Sequence, residues 1–230
     1  MVLKASVNSF RKIFAWVVLS FFCSQIAYGV SVDTKSYDPF CGVRVKVAGK
    51  TLVIGWDTPE GSTELTLNLS GQGALVRSVA VASGKGKVIE VVRDINPVTV
   101  LTVGQRDLNK RSGWTIFFDR TSRKPSESGP LTLKLKSAIV RSVGKRCMVD
   151  LGELQGESFS GKLRFTVYAG CDLIHLQSVV QTNQDARALL YHAGLTCDPT
   201  GKTVSWIGLD DKVHQVSADM QPAEPEKVRH

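Results

Sequence analysis

The amino-acid sequence predicts an all-β fold, a large antiparallel β-sandwich preceded by an N-terminal signal helix. About a dozen short runs alternate apolar and polar residues, which is the period of half-buried strands. Turns rich in Gly, Pro and Asp separate these runs. Outside residues 1–29, no stretch of ten or more residues has a helical period. We therefore expect sheets that pack on sheets rather than on helices.

The first half of the chain predicts a succession of hairpins. The runs that we predict as strands are 43–47, 51–56, 64–69, 74–82, 88–92, 98–103 and 113–119. The segment Ala48-Gly49-Lys50 is a short turn with Gly, and Asp57-Thr58-Pro59-Glu60-Gly61 combines several turn-forming residues. No repeat of fixed length is visible, which disfavours propellers and solenoids.

Residues 120–130 have no periodicity and are rich in Ser, Pro and charge, which indicates a mobile surface loop rather than a domain boundary. Beyond the loop, further strands are predicted at 131–136, 147–151, 203–209 and 213–218. Residues 221–230 contain two prolines and several charges, which indicates a polar tail or a truncated linker. We expect one β-sandwich domain over residues 30–220.

The stretch 161–195, GKLRFTVYAGCDLIHLQSVVQTNQDARALLYHAGL, predicts three consecutive strands. In the first, Leu163, Phe165 and Val167 alternate with polar residues, as in a half-buried strand. The second has apolar residues on both faces, which is typical of a central strand. The short link 169–172 contains Gly and predicts an antiparallel hairpin between these two strands.

Residues 1–29 have the pattern of a cleavable export signal. Basic residues at the start precede the apolar run 13–22, and Ala27-Tyr28-Gly29 is a cleavage site of small residues. Ser24 and Gln25 interrupt the run before it reaches the roughly 20 apolar residues of a spanning helix. We expect cleavage after Gly29, secretion or a periplasmic location, and no membrane association once the signal is removed.

The formal net charge is +8, and it becomes less positive when the basic signal is removed. The remaining Lys and Arg residues are scattered among Asp and Glu. A nucleic-acid-binding protein more often has a clustered basic patch with aromatic residues between the charges, so we expect no nucleic-acid partner. The sequence also lacks a phosphate-binding loop, a GxSxG motif and an HExxH motif. We expect no cofactor.

The mature chain keeps four cysteines, Cys41, Cys147, Cys171 and Cys197. In an oxidising compartment an even number favours disulfides, and four cysteines allow three connectivities. Metal binding is disfavoured because no CxxC pair or Cys/His cluster is present. Buried thiols are the remaining alternative.

Several phrases together resemble a known family. The order VGQRDL, GWTIFFD, TVYAG and YHAGL is similar to the N-terminal all-β domains of exported bacterial proteins of polysaccharide breakdown. These domains have the supersandwich fold of the galactose mutarotase type, and the resemblance covers most of residues 40–195. It implies a supersandwich-like fold, a polysaccharide ligand and a chain that forms the front part of a longer protein.

Sugar binding uses aromatic faces that stack on pyranose rings, edged by polar side chains that hydrogen-bond hydroxyl groups. Candidates of these types are Trp114, Arg106, Asp107, Tyr191 and His192. Trp114 opens a strand directly after a polar loop, whereas Trp56 and Trp206 are predicted in the core. His192 is the catalytic candidate, and we expect His175 to be a sheet or core histidine. The carboxylates Asp119, Glu153, Glu157, Asp172 and Asp185 fall mostly at predicted turns.

Three functions are consistent with these observations. The first is an exported β-sandwich protein that binds carbohydrate or assists polysaccharide processing without its own catalytic site. The second is a polysaccharide lyase, hydrolase or sugar epimerase, which needs a cleft with His192 or several carboxylates. The third is a structural or interaction protein of the cell envelope, which an unpaired hydrophobic edge strand would favour. The sequence leaves the ligand and the oligomeric state open.

Overall fold

The computed structural model describes residues 30–84, 86–106 and 126–219. The predicted signal helix, the predicted strand 113–119 and the tail 221–230 lie outside these residues. Within them the chain is almost entirely β-structure, with one short 3₁₀ turn at Pro39–Cys41. The strands are β1 (Ser31–Ser36), β2 (Val43–Ala48), β3 (Thr51–Thr58), β4 (Gly61–Asn68), β5 (Val76–Ser83), β6 (Val88–Gln105), β7 (Ser126–Pro130), β8 (Thr132–Val143), β9 (Arg146–Gly156), β10 (Phe159–Tyr168), β11 (Ile174–Gln181), β12 (Arg187–Thr196), β13 (Thr203–Ile207) and β14 (Val213–Ser217).

Two large sheets contain most of these strands. One has the order β1-β8-β9-β10-β11, with β1 parallel to β8 and the remaining pairs antiparallel. The other has the order β12-β6-β5-β4-β3-β2, and β7 pairs with β6. β13 and β14 form a separate hairpin. Consecutive strands are mostly neighbours, which is the usual consequence of short antiparallel connections.

Alternating residues of both sheets form one hydrophobic core. Buried side chains of β3 and β4, among them Leu52, Ile54 and Leu65, belong to the same cluster as Val149 of β9 and Phe165 of β10. Full burial of each such side chain stabilises the fold by about 1.5–3 kcal/mol relative to exposure. The predicted sandwich-like, all-β character is therefore confirmed.

Trp56 fixes one end of this core. Its side chain is fully buried, and its indole N–H donates a 2.7 Å hydrogen bond to the carbonyl oxygen of Cys171. That bond joins β3 of one sheet to the turn after β10 of the other, because a buried indole N–H needs an acceptor. The prediction that Trp56 lies in the core is confirmed, whereas Trp206 is exposed and stacks on His214 at a ring-centroid distance of 5.5 Å.

The hairpins β2–β3 and β10–β11 are confirmed, but the role predicted for β11 is wrong. It is an edge strand of the five-stranded sheet, not a central one. Its inward residues Ile174 and Leu176 pack on the core, while the next strand, β12, joins the other sheet through β6. Sequence periodicity reports which faces are apolar, not which strand pairs with which.

Three further strand assignments differ from the prediction. The separate strands predicted at 88–92 and 98–103 form the single strand β6, whose first part pairs with β5 and whose second part pairs with β12. Residues 126–130 of the predicted loop 120–130 form β7, because the exposed side of β6 offers a ladder to pair with. β1 was not predicted, since its six residues alternate weakly and depend on β8 for their hydrogen bonds.

Candidate functional site

A polar groove lies on the outer face of the seven-stranded sheet. It has a volume of about 470 Å³ and crosses β3, β4, β5 and β6. All of its side chains carry hydroxyl, amide, guanidinium or carboxylate groups: Thr51, Thr66, Asn68, Arg77, Ser78, Glu90, Arg93 and Asp94. This arrangement presents many hydrogen-bond donors and acceptors on one open surface.

Irregular backbone places the charged residues of the groove. The register between β4 and β5 shifts at Thr66 and Leu67, whose partners are Ser78 and Val76, so Arg77 is an extra residue. On β6, Asp94 has a positive φ of 48°, which is uncommon for a residue other than Gly. The extra residue Arg77 adds a side chain to the groove, as a β-bulge does. Asp94 lies opposite it on β6, between the pairs Val76–Ile95 and Ser78–Arg93.

Two ion pairs hold the charged side chains of the groove. Arg93 donates a short hydrogen bond to Glu90, and the hydrogen bond from Arg93 lowers the pKa of the Glu90 carboxyl. Arg77 lies 3.7 Å from Asp94, and both of these side chains are more than half exposed. Exposed ion pairs of this kind contribute little to stability, so they leave the guanidinium groups accessible to a ligand.

The neutral residues continue the groove across the sheet. Thr66 pairs with Ser78, and Ser78 pairs with Arg93, so the three side chains form one row over neighbouring strands. Asn68 closes the end of the groove, where its amide donates to the carbonyl oxygens of Gln72 and Ala74. The row therefore offers hydroxyl and guanidinium groups to solvent, while Asn68 mainly holds the loop after β4.

The sequence did not single out these groove residues. Arg93 and Asp94 interrupt the β-branched run of β6 and resemble a turn, and Arg77 is one of many basic residues. Only the pairing of β5 with β6 shows that Arg77 and Asp94 meet, because it places the two residues opposite each other. The signal in the sequence that could have indicated the groove is the pair of adjacent charged residues Arg93 and Asp94 in the middle of an apolar strand pattern.

Of the site residues predicted from the sequence, Trp114 and Asp107 lie outside the described residues. Tyr191 and His192 lie on β12, opposite Leu101 and Val100 of β6, and both side chains are exposed. Because they are consecutive in a strand, their side chains point to opposite faces of the sheet. The backbone N–H of Arg106 donates a 2.6 Å hydrogen bond to the carbonyl oxygen of Ala186 just before β12.

The expectation that His175 is a sheet histidine is confirmed, because it lies on β11, whereas the alternative of a core position is wrong. This histidine is exposed on the outer face of β11, where it pairs with Thr166 of β10. Phe165 and Val167 on either side of Thr166 point inward and are buried, so His175 shares the outward face. An edge strand leaves room for a polar side chain that a central strand would have to satisfy with a partner.

A second charged cluster surrounds Asp150 on the outer face of the five-stranded sheet. The carboxylate is 4% exposed and contacts Arg164 Nε at 2.6 Å, Lys162 Nζ at 2.8 Å and Arg141 Nη2 at 3.3 Å. Burial alone would raise the pKa of Asp150, but the hydrogen bonds from Arg164 and Lys162 outweigh burial and lower it. Both carboxylate oxygens are occupied by these contacts, so the cluster is a structural ion network.

No known protein-family model matches the chain, and no curated protein is similar to it. In the part of the chain that the structure describes, no group of three or more His, Cys, Asp or Glu side chains is arranged to hold a metal ion. No helix of the described residues is long and apolar enough to cross a membrane.

Proposed function

We propose that the protein is an exported β-sandwich protein that binds polysaccharide through the polar groove over β3–β6. The observation that carries this proposal is the composition of the groove, in which every lining side chain is polar and two are arginines. A guanidinium group and a hydroxyl group on neighbouring strands match the paired hydroxyl groups of a sugar ring. Binding here rests on hydrogen bonds rather than on aromatic stacking.

The sequence pattern supports the same proposal. The export signal predicted at residues 1–29 places the protein where extracellular polysaccharides occur. The resemblance to N-terminal domains of polysaccharide-processing proteins, with a fold of the galactose mutarotase type, gives carbohydrate as the ligand class. We also propose that the fold is a supersandwich of the galactose mutarotase type and that the protein is secreted or periplasmic.

The geometry of the groove favours binding over hydrolysis. A glycoside hydrolase needs one carboxylic acid with a raised pKa, which donates a proton to the leaving oxygen. The pKa of Glu90 is instead lowered by the hydrogen bond from Arg93. Asp94, the other carboxylate in the groove, faces Arg77. A lyase, hydrolase or epimerase would therefore have to use other residues.

A glycan-array screen with the full chain tests this proposal. We expect selective binding of polysaccharide fragments and a loss of about 10–100-fold in affinity for Arg77→Ala or Arg93→Ala, since each removes charged hydrogen-bond donors. The matched control is Arg44→Ala on β2. Arg44 is 61% exposed and Arg77 is 62% exposed, and both are paired with an aspartate, but Arg44 does not line the groove.

Two results would contradict the proposal. One is the absence of glycan binding by a protein that melts cooperatively, and the other is binding that the two groove variants leave unchanged. The first result would favour an envelope-interaction role, for which the exposed apolar residues Leu189, Tyr191 and Leu195 on the edge strand β12 are the supporting observation.

A further inference from the structure

The four cysteines of the described residues are free thiols in the structure, and they occupy unequal positions. Cys41 and Cys147 are buried, Cys171 is half-buried and Cys197 is exposed. The sequence alone leaves three connectivities open. Each of these connectivities pairs Cys197 with another cysteine, so the position of Cys197 decides whether any of them can form.

The 3₁₀ turn that carries Cys41 is fastened to the hairpin that carries Cys147. The backbone N–H of Asp38 donates to the hydroxyl of Ser142 at 3.1 Å, and that hydroxyl is 3.2 Å from the carbonyl oxygen of Asp38. Ser142 is the β8 partner of Cys147. The backbone N–H of Cys41 returns to the carbonyl oxygen of Asp38 at 3.2 Å, which turns Cys41 back toward the same strand pair.

Both cysteines are buried in the core. Cys41 and Cys147 belong to one hydrophobic cluster, with exposed fractions of 4% and 1%. The hydroxyl of Tyr37 and the thiol of Cys41 both donate to the carbonyl oxygen of Val43, and burial first, then Cys41 and Cys147, raise the pKa of Tyr37. Burial first, and then the neighbouring Cys41, raises the pKa of Cys147 to about 12, so the folded protein keeps Cys147 protonated.

Cys197 is too distant to pair with any of the other three. It follows Thr196, whose hydroxyl donates to the carbonyl oxygen of Asn96, and Asn96 contacts Leu75 beside the Thr51 end of β3. The other three cysteines lie at the opposite end of β3, where Trp56 bonds to Cys171. The two ends are about 17 Å apart along the strand, whereas a disulfide needs Cα atoms within about 7 Å.

We propose that Cys41 and Cys147 form a disulfide in the exported protein, while Cys171 and Cys197 remain thiols. Each of the two thiols loses one proton and one electron. The two electrons and two protons reduce an external disulfide, a disulfide-exchange protein or oxidised glutathione, to two thiols. The bond ties the N-terminal turn to β9 and closes a loop of about 100 residues. It is independent of what the groove binds, but it rests on the proposed export to an oxidising compartment.

The burial of the cysteines determines at which stage of folding the proposed disulfide forms. Exchange requires a thiolate, and Cys147 is protonated and inaccessible once the core has closed. Oxidation therefore occurs during folding, before the two sheets pack. Folded, reduced protein should react slowly with the same oxidant.

Peptide mapping without reduction tests the proposal and needs no destabilised variant. The full chain, with Cys23→Ser to remove the signal-segment thiol, is refolded with oxidised and reduced glutathione, alkylated and digested with trypsin. We expect peptides 36–44 and 147–162 to be joined, with alkylated Cys171 and Cys197. The oxidised protein should melt about 5–15 °C higher than the same protein refolded under reducing conditions.

The matched control is Cys197→Ser, which removes an exposed thiol and should leave the joined peptides unchanged. A folded, oxidised protein in which Cys41 and Cys147 are both alkylated would overturn the proposal. Joining of either one to Cys171 or Cys197 would overturn it as well. Rapid oxidation of the already folded protein would contradict the order of events.

Discussion

The two charged clusters on the outer faces of the sandwich differ in how much of their charge is buried. Asp150 on the five-stranded sheet is 4% exposed and has three basic partners. Arg77, Asp94 and Arg93 on the seven-stranded sheet are all more than half exposed and are arranged in simple pairs. A buried carboxylate depends on its partners, because an unpaired charge in the protein is costly. Exposed pairs exchange readily with water and therefore with a ligand.

This comparison separates structure from function on physical grounds. The Asp150 cluster has its hydrogen-bonding capacity used within the protein, whereas the groove directs unused donors toward solvent. Variants of the first cluster should change stability, and variants of the second should change binding.

The largest effect is expected for Asp150→Ala. Removing one partner of a buried ion pair costs about 3–5 kcal/mol, and we expect about 2–4 kcal/mol because Lys162 and Arg141 are partly exposed. For a protein of this size that corresponds to a melting temperature lower by roughly 4–15 °C. Thermal melting measures it directly.

The control for this variant is Glu153→Ala on the same strand. Glu153 pairs with Lys136 at 2.8 Å, but its side chain is 36% exposed, so we expect a much smaller fall in melting temperature than for Asp150→Ala. Equal falls in melting temperature for the two variants would show that the burial of Asp150 does not increase its contribution to stability.

The second prediction concerns the dependence of stability on pH. The pKa of Asp150 in the folded protein lies below its ordinary value of 3.8, so the unfolded chain takes up the proton at a higher pH than the folded chain. The stabilisation is complete above about pH 5, and it is lost as the pH falls through 3.8 and below. The difference in melting temperature between the protein and Asp150→Asn should therefore narrow between pH 7 and pH 3. Parallel curves would contradict this assignment.

The smallest effect on stability is expected in the groove. Arg93 is 68% exposed, so Arg93→Ala should change the melting temperature by less than about 3 °C, although we expect it to weaken the proposed glycan binding. A cooperative melt that shifts by 6 °C or more would place Arg93 among the structural residues. In that case the contrast between the two clusters would disappear.

The sequence pattern predicts much of the fold but little of the candidate site. Alternation around Leu65 and Leu67, and around Phe165 and Val167, correctly identified inward residues of β4 and β10. The groove depends on a shift of one residue between β4 and β5. Such a shift changes which side chains face outward without changing the composition of either strand.

Asp150 was missed for a related reason. In the sequence it stands between Val149 and Leu151 and resembles an ordinary outward polar residue of an alternating strand. Its burial comes from long side chains on neighbouring strands, Arg164 and Lys162 on β10 and Arg141 on β8. Those contacts join residues that are 9 to 14 positions apart in the chain, and no local period reports them.

The sequence by itself determined that this protein is built of strands, because the side-chain period and the turn residues are local properties of the chain. It also determined the adjacent hairpins, since a short link with Gly leaves few other arrangements. Only the tertiary structure decided that β12 leaves β11 for β6, that Arg77 meets Asp94, and that the turn with Cys41 is bonded to the hairpin with Cys147. These three facts depend on the pairing and packing of distant segments, which the whole core selects together.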